Sequence, residues 1–569
     1  MLLEYRKHTN MDAFLWILLV CFAIQGSQGT ADGGRPLVET TYGEIRGTTL
    51  TVKEVDRTVH AFYGIPFAKP PVGPLRFAAP EPPEPWKSVR EAAEYPPMCL
   101  QQMEMTKKML KLIEVDVTYP PVSEDCLYLN IFTPSDRGDN DRLPVMVYIH
   151  GGGLVLESAS LYDGSALSAH ENVVYVAIQY RLGILGFLST GDGQTASGNY
   201  GLLDQVAALR WIQENIQDFG GDPGSVTIFG ESAGGVSVSA LVLSPLGKGL
   251  FHRAIAQSGV AIMPGLMVSS TEELIFYRDF VANESGCEPS SLVDCLRMKS
   301  EQEISSIIST SAFLPIPACV DGVFLPKPAE EILAAKENNK VPFIIGINVH
   351  EFSWLIPKSL DLKYMDGLPK ESIQSELGRS MFLGEITGLD YTLLDEYFGS
   401  TDDPLENRDH FLDLQGDVMF VMPALKIAKL HRDSGSPVYF YEFQHRPSLF
   451  EHSRPQWVKA DHGDDLVFVF GGPFLRDGAF FKSYNYPEEE KKLSKTVMRY
   501  WANFARTSDP NGPGLARWPQ YDQDEDYLQI DFQQKVARRL KDGKFNFWTK
   551  VLPEKIRKMS EETEEHIEL

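Results

Sequence analysis

Residues 226–235 read V-T-I-F-G-E-S-A-G-G, and this stretch decides the fold. An apolar strand leads into G-x-S-x-G, and the small residues that follow, A-G-G-V-S-V-S-A-L, begin a helix. A strand, a sharp turn and a helix in this order are typical of a nucleophile elbow, which exposes one serine at the end of a sheet. Gly230 and Gly234 are the small neighbours that the turn needs. The pattern therefore predicts Ser232 as a nucleophile at a helix N-terminus, where the dipole favours negative charge.

A second glycine-rich segment follows an earlier apolar strand, because residues 148–153 read Y-I-H-G-G-G. Three glycines leave their backbone N–H groups unobstructed and able to adopt unusual dihedral angles. An H-G-G-G loop in this position supplies hydrogen bonds to the oxyanion of a tetrahedral intermediate. We therefore predict an oxyanion hole formed by Gly152 and Gly153, with Ala233 as the third donor.

A serine nucleophile needs a base, and the base needs a carboxylate that orients it, in the chain order Ser, Asp/Glu, His. Residues 343–347 form an apolar run that predicts a strand, and Asn348-Val349-His350-Glu351 follows it directly. A carboxylate there lies at the carboxyl end of the strand, where catalytic residues of such sheets collect. Glu351 is the candidate acid, and a glutamate of a surface loop is the alternative.

The candidate bases are the histidines that follow the candidate acid in the chain. His462 lies in the turn-like segment A-D-H-G-D-D, and a loop with an adjacent glycine suits a histidine that reaches into a cleft. We predict His462 as the base. Spacing alone leaves His445 and His452 as alternatives.

The chain alternates strand-like and helical segments, which predicts an α/β fold with a large, mostly parallel central sheet flanked by helices. Leu202, Val206, Leu209, Ile212 and Ile216 recur at helical spacing. A hairpin is predicted at residues 37–41 and 44–47, and further strands at residues 127–132, 144–149, 173–179, 226–229, 254–257, 343–347, 438–443 and 528–530.

The composition restricts the function classes. The 569 residues include 53 basic and 78 acidic ones, a net charge of −25, which argues against a nucleic-acid-binding surface. There is no long linker, repeat or low-complexity tract, so we predict one large domain over residues 30–550 with long insertions around the site. No Cys/His spacing resembles a zinc site, and we expect no metal or cofactor.

The N-terminal residues indicate targeting to the secretory pathway. Residues 13–24 form an apolar run that is too short to span a bilayer easily, and Ser27-Gln28-Gly29 follows with small residues at the first and third places. We predict a signal peptide over residues 1–29 that is cleaved after Gly29, with Met11 as an alternative start. No later stretch is long and apolar enough for a transmembrane segment.

The C-terminal residues carry a second targeting signal. His566-Ile567-Glu568-Leu569 has the pattern H-x-E-L, a variant of the K-D-E-L and H-D-E-L retention signals. The charged tail at residues 551–569 is thus expected to bind the retention receptor and keep the protein in the lumen of the endoplasmic reticulum. The sequon Asn283-Glu284-Ser285 predicts N-glycosylation of Asn283.

The cysteines fit an oxidising compartment. Removal of the signal peptide removes Cys21 and leaves five, of which four can pair in three ways that sequence cannot distinguish. The closely spaced pairs Cys99–Cys126 and Cys287–Cys295 are the simplest choice. Cys319 then remains as a free thiol or a small buried residue.

Two long segments resemble a known family. F-G-G-D-P-G-S-V-T-I-F-G-E-S-A-G at residues 219–234 resembles the nucleophile signature of type-B carboxylesterases and cholinesterases. E-D-C-L-Y-L-N-I-F-T-P at residues 124–134 resembles that family's second signature. Residues 348–357 and 459–464 are similar to the segments that bear the acid and the base in vertebrate carboxylesterases, especially the second, intestinal type.

The resemblance covers essentially the whole chain from about Pro36 and implies an α/β-hydrolase fold. It also implies that Glu351 is the acid, that His462 is the base and that the two disulfides above are formed. The expected activity is hydrolysis of lipophilic esters, drugs and some amides through an acyl-enzyme, with bulky alcohols and small acyl groups preferred. The chain departs from the family at Val349 and Ser353, and these differences are expected to affect the shape of the pocket without changing a catalytic atom.

Two alternatives belong to related classes. A lipase or cholinesterase has the same triad, and the retention signal argues against a secreted or synaptic enzyme. A catalytically inactive adhesion protein of the same fold typically lacks a triad residue and carries a membrane anchor. This chain has a complete candidate triad and no such anchor, so we favour the esterase.

Overall fold

The structure is a computed structural model that describes residues 34–115, 118–138, 141–192, 196–310, 316–380, 390–476 and 484–558. The predicted signal peptide and the H-x-E-L signal lie outside these residues. The first residues of the predicted tail lie within them, because residues 552–558 are helical and Leu552 is buried.

Short runs of β-branched, aromatic and other apolar residues form the strands, as their composition predicts. The strands are β1 Leu37–Thr40, β2 Gly43–Arg46, β3 Thr48–Leu50, β4 Val59–Pro66, β5 Arg90–Glu91, β6 Met98–Cys99, β7 Val122–Ser123, β8 Tyr128–Pro134, β9 Leu143–Ile149, β10 Val174–Ile178, β11 Gly221–Glu231, β12 Arg253–Gln257, β13 Met267–Val268, β14 Ala318–Cys319, β15 Phe343–Asn348, β16 Val438–Phe443, β17 Asp526–Ile530 and β18 Lys535–Arg538.

Eleven of these strands form one sheet in the order β18-β17-β16-β15-β12-β11-β9-β10-β8-β4-β3. The neighbours from β17 to β10 all pair in parallel, and antiparallel strands extend the sheet at both edges. The predicted fold class, a mostly parallel sheet flanked by helices, is confirmed. The carboxyl ends of β9, β11, β12 and β15 therefore meet at one edge, where a ligand site is expected.

Helices alternate with the strands along the chain. They are α1 Met103–Leu112, α2 Ser165–Glu171, α3 Gly183–Phe187, α4 Tyr200–Asn215, α5 Ala233–Leu243, α6 Thr271–Ser285, α7 Leu292–Met298, α8 Glu301–Thr310, α9 Ala329–Ala334, α10 Leu355–Ser359, α11 Ile373–Arg379, α12 Asp390–Tyr397, α13 Pro404–Gly416, α14 Met422–Asp433, α15 Leu466–Val469, α16 Glu488–Thr507 and α17 Asp542–Asn546. Two π-helical segments, Asp417–Val421 and Phe547–Val551, continue α13 and α17.

Both faces of the sheet are buried, which explains the nearly continuous apolar runs in its strands. In β9, Val145 and Val147 pack with α4 and α5 into one core, whereas Met146 and Tyr148 pack with α2 and α16 into the other. The alternation follows from the two-residue period of a strand. The sheet is thus a rigid platform between two layers of helices.

The predicted hairpin at residues 37–47 is confirmed as β1 and β2, although it belongs to a small separate sheet with β5. The sequence pattern does not predict three strands of the large sheet, which are β3, β4 and β18. β4 contains Gly64 and a register irregularity after Phe62, and both weaken the strand pattern in its sequence. These strands lie at the edges of the sheet, so the strands that carry the site are unaffected.

Both proposed disulfides are present, Cys99–Cys126 and Cys287–Cys295. Cys319 is a buried free thiol, and burial raises its pKa to about 12, so it is unreactive as a nucleophile. Among the described residues no helix is long and apolar enough to cross a membrane, and no group of His, Cys, Asp or Glu is arranged to hold a metal ion.

Removal of either disulfide is expected to lower the free energy of unfolding, and the larger loop should give the larger loss. Cys99–Cys126 closes a separation of 27 residues, so we expect the double serine variant to lose about 3–4 kcal/mol of unfolding free energy in the chain-entropy account. Cys287–Cys295 closes only 8 residues, and its double variant should lose about 2–3 kcal/mol. Urea unfolding followed by tryptophan fluorescence measures both. A larger loss for the short loop would contradict the loop-entropy explanation.

Candidate active site

Ser232 stands at the turn between β11 and α5, as the sequence predicts. Its backbone has φ 57° and ψ −125°, a region that non-glycine residues rarely adopt. The Ser232 N–H donates to the Gln257 carbonyl of the neighbouring strand at 2.8 Å, and this contact holds the strained turn against β12. Strain of this kind is retained at functional sites.

The glycines around the elbow are required by close backbone contacts. A Cβ on Gly234 would lie 2.0 Å from the Ile149 carbonyl oxygen, and one on Gly230 would lie 2.6 Å from the same atom. The first turn of α5 therefore packs directly against the end of β9. This packing brings the serine beside the glycine-rich loop that follows β9.

Glu351 and His462 meet at the carboxyl edge of the sheet. The His462 Nδ1 lies 2.7 Å from Glu351 Oε2, and both side chains are buried. Glu351 Oε1 accepts hydrogen bonds from the Asn348 N–H and from the Ser258 hydroxyl, each at 2.6 Å. Both carboxylate oxygens of Glu351 are thus engaged in hydrogen bonds, which fix the orientation of the group.

Ser232 and His462 line the same cavity, but the histidine faces a different partner. His462 Nε2 lies 3.1 Å from Oε1 of Glu231, the residue before the nucleophile. In the described part of the chain the Ser232 hydroxyl makes no hydrogen bond to the imidazole. The structure therefore brings the three predicted residues together and adds Glu231, which the sequence analysis did not select although it adjoins Ser232.

Burial and mutual contact shift the pKa values of these groups. Burial raises the pKa of Glu231 well above its usual value and also raises that of Glu351, against the hydrogen bond from His462. Burial alone would lower the pKa of His462, but the adjacent carboxyl groups of Glu231 and Glu351 outweigh it and raise the pKa. The two carboxyl groups therefore stabilise the imidazolium form of His462 in this arrangement.

The predicted oxyanion residues lie beside the serine. Gly152 and Gly153 line the cavity with φ 79° and 62°, and a Cβ on Gly152 would lie 2.4 Å from the Leu156 carbonyl oxygen. Ala233 is the first residue of α5, so its N–H belongs to the first turn, whose donors have no partner within the helix. A Cβ on Gly151 would lie 3.2 Å from the Ser232 Cβ, which shows how closely the loop approaches.

The walls of the cavity are mostly apolar and come from segments far apart in the chain. Their large apolar residues are Met105, Met109 and Ile113 on or beside α1, Met263 and Leu266 after β12, Leu355 and Ile356 on α10, Met419 and Phe420 on a π-helix, and Phe450, Leu466 and Val467. The Phe420 ring lies 4.6 Å from the His462 ring. A site with such walls suits lipophilic substrates.

Residues outside the cavity fix the position of the π-helix Asp417–Val421 through hydrogen bonds to Asp417. The Asp417 carboxylate accepts from the Tyr397 hydroxyl at 2.9 Å and from the Lys541 ammonium at 2.6 Å. Trp548 donates in turn to the Tyr397 oxygen at 2.7 Å. The C-terminal segment thus fixes the wall that carries Phe420, and π-helices of this kind are frequent at functional sites.

The two alternative bases lie elsewhere. His445 Nε2 is 2.8 Å from Glu490 and its Nδ1 is 3.5 Å from Asp531, so both nitrogens face carboxylates outside the cavity. His452 is exposed on the surface. Of the three histidines that spacing allowed, only His462 contacts Glu351.

The Ser258 hydroxyl is expected to position Glu351, and its removal should have a modest effect. The hydrogen bond to a charged acceptor is worth about 1.5–3 kcal/mol, so we expect Ser258→Ala to lower kcat by about tenfold with little change in KM. The pKa of Glu351 should rise, which shifts the acid limb of the pH–rate profile upward. The exposed Ser375→Ala is the matched control. An unchanged pH profile would contradict the positioning role.

This fold, with a serine at the elbow and a glycine-rich loop beside it, defines an α/β hydrolase. The chain belongs to the carboxylesterase family, whose sequence profile matches residues 34–548. It is accordingly a carboxylic-ester hydrolase.

The chain is also similar to named relatives over nearly its whole length. It is 51% identical to the medium-chain fatty acyl-CoA hydrolase precursor of Anas platyrhynchos, over 94% of this chain and 95% of the relative. It is 50% identical to the cocaine esterase of Homo sapiens, over 95% of each. It is 48% identical to the acylcarnitine hydrolase of Mus musculus, over 99% of each.

Proposed function

We propose that the protein is a serine carboxylesterase that hydrolyses lipophilic esters, and some amides, with Ser232 as nucleophile, His462 as base and Glu351 as acid. The observation that carries the proposal is the 2.7 Å contact between Glu351 and a histidine that shares an apolar cavity with the elbow serine. A nucleophile, a base and an orienting carboxylate at one site are the requirements of this chemistry.

The proposed reaction begins when His462 Nε2 gives up its contact with Glu231 and accepts the Ser232 proton. The serine Oγ then attacks the ester carbonyl carbon, and the negative oxygen is stabilised by the N–H groups of Gly152, Gly153 and Ala233. His462 returns the proton to the alcohol, which leaves an acyl-serine. Water repeats the sequence, giving its proton to His462, and the carboxylic acid is released.

The substrate class follows from the cavity walls and from the relatives. Methionine, leucine and phenylalanine side chains bind hydrophobic groups without strict geometry. The relatives are named for cocaine, pyrethroid, acylcarnitine and acyl-CoA hydrolysis. We therefore place this enzyme among those that act on xenobiotic and lipid esters, with no cofactor or metal.

The proposed site of action is the lumen of the endoplasmic reticulum. The two disulfides fit an oxidising compartment. Asn283 is exposed on the last turn of α6, where an oligosaccharide can be attached. Cleavage of residues 1–29 and capture through the C-terminal His566-Ile567-Glu568-Leu569 by the retention receptor complete the proposal.

A covalent label tests the nucleophile directly. We expect a fluorophosphonate probe to attach at one site per chain and to stop hydrolysis of p-nitrophenyl acetate in proportion to labelling. Peptide mass spectrometry should place the phosphonyl group on Ser232, and heat-unfolded protein, the control, should not react. Labelling of another serine, or full labelling without loss of activity, would contradict the assignment.

A further inference from the structure

Glu157 is a buried carboxyl group in the cavity wall that the proposed reaction does not use. It is 7% exposed and its backbone has φ 77°, in the left-handed region that favours glycine. Both the burial of an acid and this backbone conformation are unfavourable. Such a residue is expected only where the carboxyl group has a function.

The position of Glu157 is fixed by buried neighbours. The Gln101 side chain accepts from the Glu157 N–H at 2.9 Å and donates to its carbonyl at 2.8 Å. The Tyr162 hydroxyl donates to Glu157 Oε2 at 2.6 Å. Gln101 therefore fixes the backbone of Glu157 and Tyr162 fixes one of its carboxylate oxygens, as in a preformed binding site.

Glu157 is also close to the reacting groups. A Cβ on Gly152, a predicted oxyanion donor, would lie 2.9 Å from the Glu157 Cγ. Glu157 lines the same cavity as Ser232 and Glu231. The Glu231 Oε1 atom is buried and accepts no hydrogen bond from the described residues, although His462 Nε2 lies 3.1 Å from it.

The charges around this cavity are unbalanced. Its lining, within the described residues, contains the carboxyl groups of Glu157, Glu231 and Asp464 and no lysine or arginine. Asp464 is neutralised by Arg454, whose Nη1 lies 2.8 Å from both of its carboxylate oxygens. His462, which also lines the cavity, lies beside Glu231, whereas Glu157 forms no ion pair among the described residues, in a wall that also carries Tyr162 and Phe420.

We propose that Glu157 binds a positively charged group of the substrate, so that the enzyme prefers esters with an ammonium centre over neutral esters of the same shape. The inference rests on the proposed function, since it concerns the substrate of that site. A carboxylate attracts the cation across a short, partly desolvated distance, and aromatic faces contribute further attraction. The cation belongs to either the alcohol or the acyl half of the ester.

The experiment must be carried out at a pH at which the Glu157 carboxyl group is ionised. Burial raises the pKa of Glu157 to about 7, although the Tyr162 hydroxyl that donates to it and the nearby His462 act in the opposite direction. Tyr148, Tyr180 and Glu231 are the other titratable groups that interact with it. Measurements at pH 8 keep the carboxylate charged, and quaternary ammonium substrates keep a constant charge.

Two pairs of substrates have the same shape and differ in charge. Butyrylcholine and 3,3-dimethylbutyl butyrate differ only in the alcohol, whereas butyl 4-(trimethylammonio)butanoate and butyl 5,5-dimethylhexanoate differ only in the acyl group. The measured quantity is the ratio of kcat/KM for the cationic ester to that for the neutral ester. In one of the pairs, Glu157→Gln should lower this ratio by about tenfold or more.

The matched control is Glu104→Gln, which removes an exposed glutamate from α1 beside the cavity and should leave both ratios within twofold. Glu157→Gly is a second variant that suits the backbone and should lower the same ratio if Glu157→Gln folds poorly. Ratios unchanged in both Glu157 variants, with Ser232 still labelled by the fluorophosphonate, would overturn the inference alone. Failure of the wild type to hydrolyse any ester would overturn the proposed function, and the inference with it.

Discussion

Replacement of Ser232 with alanine is expected to lower the turnover of p-nitrophenyl acetate by about a millionfold. The variant removes the oxygen atom of the proposed nucleophile, while the predicted oxyanion donors and the apolar walls remain. Alanine is no larger than serine, so the packing of α5 against β9 is unchanged. The measurement is the steady-state rate of the purified variant beside that of the wild type.

The interpretation depends on a folded variant. Its unfolding midpoint should match that of the wild type, and it should still bind a non-hydrolysable lipophilic ligand in the cavity. Wild-type activity in Ser232→Ala would show that another residue is the nucleophile. Inactivity of both proteins would favour the alternative of a catalytically inactive adhesion protein with the same fold.

Replacement of Glu351 with glutamine should lower kcat by about ten-thousandfold, because it reverses the histidine tautomer. Oε1 receives two donors, from Asn348 and Ser258, so the new amide nitrogen must take the Oε2 position. There it donates to His462 Nδ1, which must become an acceptor, and the proton then lies on Nε2. A protonated Nε2 cannot accept the serine proton.

The control for this variant is the same substitution in the adjacent strand. Glu442 is a buried glutamate of β16 that contacts Gln444 and Gln529 and does not line the cavity. Glu442→Gln should keep kcat within a few fold of the wild type. If Glu351→Gln loses less than tenfold, the carboxylate does not set the tautomer and the assignment of the acid is wrong.

The sequence predicts those parts of the site that lie within one continuous stretch with a recognisable residue pattern. The elbow at Ser232 is one continuous strand, turn and helix, and Glu351 follows its strand directly, so each could be placed at the edge of a parallel sheet. The partner of Glu351 could not be placed in this way. His462 and Ser258 are 111 and 93 residues away from it, and spacing left His445 and His452 open until the fold was known.

Other features depend on contacts that no local pattern encodes. Glu231 lies inside the nucleophile motif, but only the folded structure shows that it faces the His462 imidazole. Glu157 follows a glycine-rich loop, where a polar residue normally indicates a solvated turn. The π-helix Asp417–Val421 reads in sequence as a continuation of α13, because the same apolar residues fit either helical form.

The attachment of Lys541 to Asp417 has a consequence for the evolution of this enzyme. Lys541 and Trp548 help to fix the wall that carries Phe420, although neither of them lines the cavity. Substitutions far from the serine can therefore change the substrate specificity. Mutant libraries that are limited to cavity-lining positions would not contain these substitutions. When related enzymes share the same cavity-lining residues but accept different esters, sequence variation around Lys541 and Trp548 can explain the difference in specificity.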